Sequence, residues 1–183
     1  MCEIYTDRPK EAELNDVILR EAQSNDCTLL WEFLAIAAYE PSARAAQDVP
    51  VISVLLEGWK RPGDFGCIAE LDGTAIGAAW ARQFELDDKP AVYAGPEIPE
   101  ITIGVRPEIH ARGVGARLLH WLEQAARDRG CHGLCLFVRD TNPAIRLYER
   151  VGYRRISGSE VQNRMGGISV SMLLTFSSDH REL

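Results

Sequence analysis

The sequence predicts a mixed α/β fold, with a mostly antiparallel, twisted central sheet that contains one parallel pair of strands and is flanked by about four helices. Three observations predict it. Two β-type runs, 65–71 and 74–84, are joined by Asp72-Gly73, a pair that tolerates the positive φ angles of a two-residue hairpin turn. The alternating run 101–105 is followed by an amphipathic helical stripe and then by the apolar run 134–138. Strand, helix, strand at that length is a βαβ unit, with a parallel pair and a right-handed crossover. Two further β runs, 153–161 and 168–176, close the chain, with Gly166-Gly167 near the turn between them.

Taken in order, residues 17–20 form a short β opening, and Ser24, Asn25 and Asp26 offer N-caps to an apolar stretch that ends before Pro41. Asp48 ahead of Val49 and Pro50 repeats the helix-start signal, which predicts a second helix to about Gly58; the intervening EPSARAAQD reads as loop. The Pro- and Asp-rich segment 86–100 is a loop leading to the strand 101–105. Gly104 inside that strand marks a bulge or a close backbone approach. From Val114, the positions Val114, Leu118, Leu122, Ala125 and Ala126 share one helical face, and Gly130 supplies the stop. Residues 134–138 read as a doubly covered strand. Thr141 and Asn142 then cap a helix with Pro143 in its first turn, which runs to Val151 and closes at Gly152.

Residues 1–183 fit one domain, and 46% hydrophobic with 26% charged residues is the balance of a globular protein. The apolar runs 29–39 and 49–56 are too short and too interrupted to span a membrane, and the polar, charged N-terminus lacks the apolar core of a secretory signal, so a cytoplasmic location is expected. Five scattered cysteines do not make a disulfide framework. Cys131, His132 and Cys135 form one C-x3-C without a second pair, which reads as a buried strand thiol ahead of zinc, and no metal is expected. A formal net charge of −7 disfavours nucleic acid as a partner and suits a cationic small molecule.

The segment that carries chemistry is VRPEIHARGVGARLL, residues 105–119. A strand ends, a turn with Arg112, Gly113 and Gly115 follows, and a helix begins. Bare glycines let backbone N–H groups approach a ligand, and a helix start offers unpaired donors with partial positive charge, so the turn suits a phosphate-like anion. It fits neither the Walker pattern nor the dinucleotide fingerprint. The segment resembles the pyrophosphate-binding motif of the GNAT superfamily of acetyl-CoA-dependent N-acetyltransferases, Q/R-x-x-G-x-G/A. His110 stands where Gln or Arg is usual, a departure that bears on that side chain and leaves the backbone contribution intact. The run NPAIRLYERVGY, residues 142–153, is similar to the family's N-x-x-A-x-x-L-Y-x-x-x-G-F/Y, in the right order and at the right spacing.

The resemblance is sharp over 101–153 and architectural elsewhere, and it implies a parallel strand pair splayed at the cofactor site. It implies acetyl-CoA as cosubstrate, with its pyrophosphate on the backbone of Arg112, Gly113, Val114, Gly115 and Ala116. The pantetheine arm lies along Ile103, Gly104 and Val105, where an N–H near Ile103 faces the acetyl oxygen, and Asn142 hydrogen-bonds the arm or serves as a helix cap. Tyr148 matches the tyrosine that protonates the departing sulfur, although Ala144, Leu147, Tyr148 and Val151 also make a packing face. For the amine's proton, Glu100 is the candidate acceptor, with Glu97 behind it and solvated loop charges as the plain alternative. Arg106 and Arg117 are left out of the site, and Trp31, Trp59, Trp80 and Trp121 read as core. The implied reaction is direct transfer of acetyl to a primary amine of a small acceptor. A peptide N-terminus as acceptor, or a non-catalytic acyl-CoA sensor, are the competing readings, and a homodimer is an analogy to the family.

Overall fold

The computed structural model describes residues 16–88, 90–110 and 112–176. Its strands and helices are β1 (Ile18–Glu21), α1 (Cys27–Ala38), α2 (Ala43–Gln47), α3 (Pro50–Ser53), β2 (Phe65–Leu71), β3 (Thr74–Arg82), β4 (Glu100–Val105), α4 (Val114–Asp128), β5 (Gly133–Arg139), α5 (Ile145–Val151), β6 (Arg154–Arg155), β7 (Val161–Gln162) and β8 (Ile168–Thr175). The sheet runs β1-β2-β3-β4-β5-β8-β6, with β7 also on β8, and every pair is antiparallel except β4 with β5. The predicted hairpin is present: Leu71 pairs with Thr74 across Asp72 and Gly73, whose φ angles are 50° and 73°.

Three expectations are corrected. The segment read as loop contains α2, because the Ser42 side chain accepts the Ala45 N–H at 3.1 Å and alanines follow it. The helix begun by Pro50 stops at Ser53 rather than near Gly58. The reason is Arg82, whose Nη1 takes the carbonyls of Val54 at 2.8 Å and Glu57 at 2.7 Å, turning them inward and out of the helical ladder. The β run after Tyr153 is two short pairs, β6 and β7, separated by a turn.

The bulge considered at Gly104 is also absent: β3 and β4 keep register from Gly77 with Val105 to Arg82 with Glu100, and the irregularity falls in β2 between Ala69 and Glu70. Close approach is what requires the glycine. A Cβ on Gly104 would sit 2.4 Å from the Phe33 carbonyl oxygen, so α1 packs its backbone directly on β4.

Strand alternation sorts the core into two layers. Ala79, Ala81 and Ile101 face α4, with Leu118, Leu119 and Leu122, while Ala78, Trp80 and Ile68 face α1 with Leu30, Phe33 and Leu34. Trp80 is fully buried, meets Trp59 edge-on at 6.5 Å and donates to the Leu55 carbonyl at 2.9 Å. Arg82 extends the same face and is buried with Asp64 at 2.8 Å.

Candidate active site

The parallel pair holds at one point. Among the described residues β4 meets β5 at Glu100 and Cys135, where the Cys135 N–H reaches the Pro99 carbonyl at 2.9 Å, and beyond that rung the strands part. β4 stays paired with β3 along its other edge, and the Arg106 N–H continues that ladder to the Ile76 carbonyl at 2.9 Å. Backbone groups of an antiparallel strand alternate between its two edges, so Thr102, Gly104 and Arg106 direct theirs at β3. Those of Ile103 and Val105 therefore face the gap. His110 closes one of them, its Nε2 lying 2.9 Å from the Val105 carbonyl; a carbonyl only accepts, so Nε2 carries the proton.

Past that contact, Gly113 adopts φ 78° as the N-cap of α4. The first helical bond is Arg117 N–H to the Gly113 carbonyl at 3.2 Å, and no side chain caps the turn, so the N–H groups of Val114, Gly115 and Ala116 precede the ladder. They carry the positive end of a 15-residue helix dipole. A Cβ on Gly115 would meet Leu147 at 3.2 Å and Ile103 at 4.0 Å, so the turn rests on α5 and on the open edge of β4. Arg112 and Gly113 are exposed, while Gly115 and Ala116 are half-buried. Arg106 and Arg117 are occupied elsewhere: Arg106 Nε donates to the Ala75 carbonyl and Arg117 Nη2 to the Val17 carbonyl, each at 2.8 Å.

Tyr148, on α5, is 6% exposed and lies edge-on to Tyr153 at 5.9 Å. Burial pushes its phenol well up from the usual range, and a charge on Tyr39 would add to the effect, so it holds its proton at neutral pH. The hydroxyl has no hydrogen-bond partner among the described residues. Asn142 shapes the turn that leads into α5, its Oδ1 accepting the N–H of Ala144, the residue before the helix, at 2.8 Å.

Glu100 is 4% exposed at the closed end of the gap, on the face shared with Arg82, and its Oε2 has no partner. Burial raises its carboxyl to about 8 against the opposing pull of a Val92 N–H. Glu97 is separated from the gap. It is exposed and pairs with His132 at 2.7 Å, beside a cavity of about 420 Å³ that Gln83, Pro99, Arg129 and Cys131 help to line, before the start of β4. The buried Cys135 thiol points at the Ile98 and Pro99 carbonyls, and no group of three His, Cys, Asp or Glu among the described residues is placed to hold a metal ion.

The wall opposite α4 went unread in the sequence. Tyr39 ends α1 with φ 60°, Glu40 pairs with Arg164 from the β7–β8 turn, and the Arg139 guanidinium lies 4.5 Å over the Tyr39 ring. These residues are scattered over the chain in no repeating pattern. The one local signal is Asn163, whose Oδ1 accepts the N–H groups of Met165 and Gly167 and shapes that turn.

A strand edge opened toward a gap, with a glycine-lined helix start at one end, is an arrangement suited to an extended, anion-bearing ligand. The profile of the acetyltransferase (GNAT) family matches residues 27–153, and the chain belongs to that family. It is 27% identical over 154 residues to a mycothiol acetyltransferase of Pseudarthrobacter chlorophenolicus, which covers 81% of this chain but 46% of that protein, so the chain spans less than half of that relative. It is 27% identical over 152 residues to thialysine N-epsilon-acetyltransferase of Sus scrofa, covering 79% of this chain and 88% of that one. In fold it is similar to the acetyltransferase yncA of Salmonella typhimurium, solved with its cofactor acetyl-CoA, with a TM-score of 0.69 at 20% identity over 91% of this chain and 97% of that one. No helix among the described residues is long and apolar enough to cross a membrane.

Proposed function

We propose that this protein transfers the acetyl group of acetyl-CoA to the primary amine of a small-molecule acceptor, by direct attack with both substrates bound. The observation that carries the reading is the gap between β4 and β5, which leaves the Ile103 backbone and the Val105 N–H open beside the amides of Val114, Gly115 and Ala116. These residues fit the donor: the amides of 112–116 take its pyrophosphate, and the edge from Ile103 to Val105 takes the pantetheine arm as an added strand. Within that frame the Ile103 N–H polarises the thioester carbonyl. As the amine nitrogen bonds to the carbonyl carbon and the C–S bond breaks, the Tyr148 hydroxyl gives its proton to the sulfur. Glu100, through water, receives the proton that the amine loses; its raised pKa makes it a stronger base than a surface carboxylate. The pig relative, named for the N-epsilon amine of thialysine and matched over most of its length, supports a small acceptor.

The test is thiol release from acetyl-CoA across polyamines, aminoglycosides, amino acids and N-terminal peptides. Turnover with a small amine is the expected result. Turnover confined to peptides would move the acceptor class, and tight donor binding with no turnover would make the protein a sensor.

A further inference from the structure

The wall of the gap formed by the end of β5 has a charge count that does not close. Alternation puts Leu134, Leu136 and Val138 in the α4 core and sends Arg139 to the opposite face, toward α1. β5 leaves β4 at Cys135, so Arg139, four residues on, stands roughly 13 Å beyond the last shared rung. The end of α1 comes up against it there: Arg139 Nη2 donates to the Ala38 carbonyl at 3.4 Å, and the guanidinium plane stacks on Tyr39. A helix C-terminus and an aromatic face both favour a cation and hold it in one place. Tyr39 in turn is close enough to Tyr148, the proposed acid, for a charge on it to be felt there.

Three more charged groups bear on this cluster. Glu40 pairs with Arg164, and Asp140 is exposed and in no ion pair among the described residues. Glu40 is thus matched by Arg164, and Arg139 is in no ion pair among the described residues. It is half-buried, has five N–H donors, and makes one hydrogen bond among the described residues, to Ala38. A planar fork with most of its donors uncommitted matches a carboxylate in two-point contact.

We infer that Arg139 anchors a carboxylate on the acceptor, so that the substrate is an amine carrying its own carboxylate, of the amino-acid class. This rests on the acetyltransferase reading, and it replaces the purely cationic acceptor that net charge alone favoured. Tyr39 is then a positioning residue, its ring fixing the plane of the guanidinium.

The experiment uses three pairs of acceptors that differ by the carboxylate: glycine and methylamine, lysine and cadaverine, phenylalanine and phenethylamine. In the parent, the amino acid of at least one pair should give kcat/KM tenfold or more above its partner. Arg139→Met should erase that preference through KM while acetyl-CoA affinity stays at the parental value. A second measurement needs no turnover: with coenzyme A saturating, the same amino acids should raise the Tm of the parent and leave that of Arg139→Met unmoved. If Arg139→Met itself melts well below the parent, Arg139→Lys, which keeps the charge and loses the fork, carries both measurements. Acetylation of both members of every pair at equal rates overturns the carboxylate site and leaves the acetyltransferase reading standing. Arg139-dependent Tm shifts without acetylation of any amine do the reverse, and neither signal removes both.

Discussion

The two walls of the gap are built from different materials. The proposed donor side, from β4 through α5, is mostly backbone: the open edge of Ile103, the Val105 N–H, and the amides of Val114, Gly115 and Ala116 ahead of the first helical bond. The proposed acceptor side is mostly side chain, held by contacts between distant segments: Arg82 with Asp64, Glu40 with Arg164, and Arg139 on Tyr39. A backbone site depends on glycines and helix starts at fixed spacing, so it recurs with little change. A side-chain site depends on which residues three or four loops bring together, so it can be rebuilt for a new acceptor without disturbing the donor.

Mutations can break that contrast, and the largest effect should come from the foundation of the acceptor wall. Asp64→Asn leaves the Arg82 guanidinium buried without a countercharge, which should cost about 3–5 kcal/mol in urea unfolding while the folded fraction keeps its acetyl-CoA affinity. A midpoint at the parental value would show that the carbonyls of Val54 and Glu57 suffice. On the donor wall, Gly113→Asp forces a side chain into φ 78° and sets a carboxylate at the anion site. Acetyl-CoA affinity should fall several hundredfold, roughly 3–4 kcal/mol; calorimetry on the folded variant returning the parental Kd removes the pyrophosphate from this turn. Tyr148→Phe should lower turnover by about a hundredfold, with donor affinity and Tm near parental. The ring stays in place, so a parental rate makes Tyr148 a packing residue.

A pH-dependent effect sharpens the boundary between the walls. Glu100 ionises near 8 in the folded protein against 4.5 for an unperturbed glutamate. The folded state keeps a proton that the unfolded chain loses, so the stability this group contributes is full below about pH 4.5 and is lost as pH rises toward 8. Glu100→Gln does not ionise, so its Tm relative to the parent should rise from pH 4 to pH 9. The parent's rate should increase through pH 8, and the same variant should lose that increase. A Tm difference that does not change with pH would place Glu100 in contact with solvent.

How much of this was legible follows from the same division. Asp72-Gly73, the strand–helix–strand run and the glycine turn were readable because local chemistry decides each of them: a turn's φ angles, a 3.6-residue stripe, the unpaired donors of a helix start. Ser42 was a legible cap passed over among loop residues, and it starts α2. The early end of α3 was not local at all, since the carbonyls that leave the ladder answer to Arg82, more than twenty residues on. Gly104 was noticed for the right property and given the wrong cause, because its neighbour is the Phe33 carbonyl of α1. The stacking of Arg139 on Tyr39 joins residues a hundred positions apart, and no spacing rule reaches that far.

The solitary rung between Glu100 and Cys135 has a mechanical consequence. Along the hydrogen-bonded direction the sheet is two ribbons, β1 to β4 and β5 to β8, which among the described residues meet only at this rung and at the His132 N–H on the Glu97 carbonyl just before it, and are bridged by α4, which packs on both. A donor bound along β4 supplies the stitches that the chain itself leaves out, so catalysis and rigidity draw on the same contacts. At a hundredfold excess over Kd, such a ligand stabilises the fold by about 2.7 kcal/mol. The amides of Ile103 and Val105 would register it as slowed exchange with solvent. Each cycle of binding and release would then tighten and slacken the join between the ribbons, making the protein most open to proteolysis just after its product leaves.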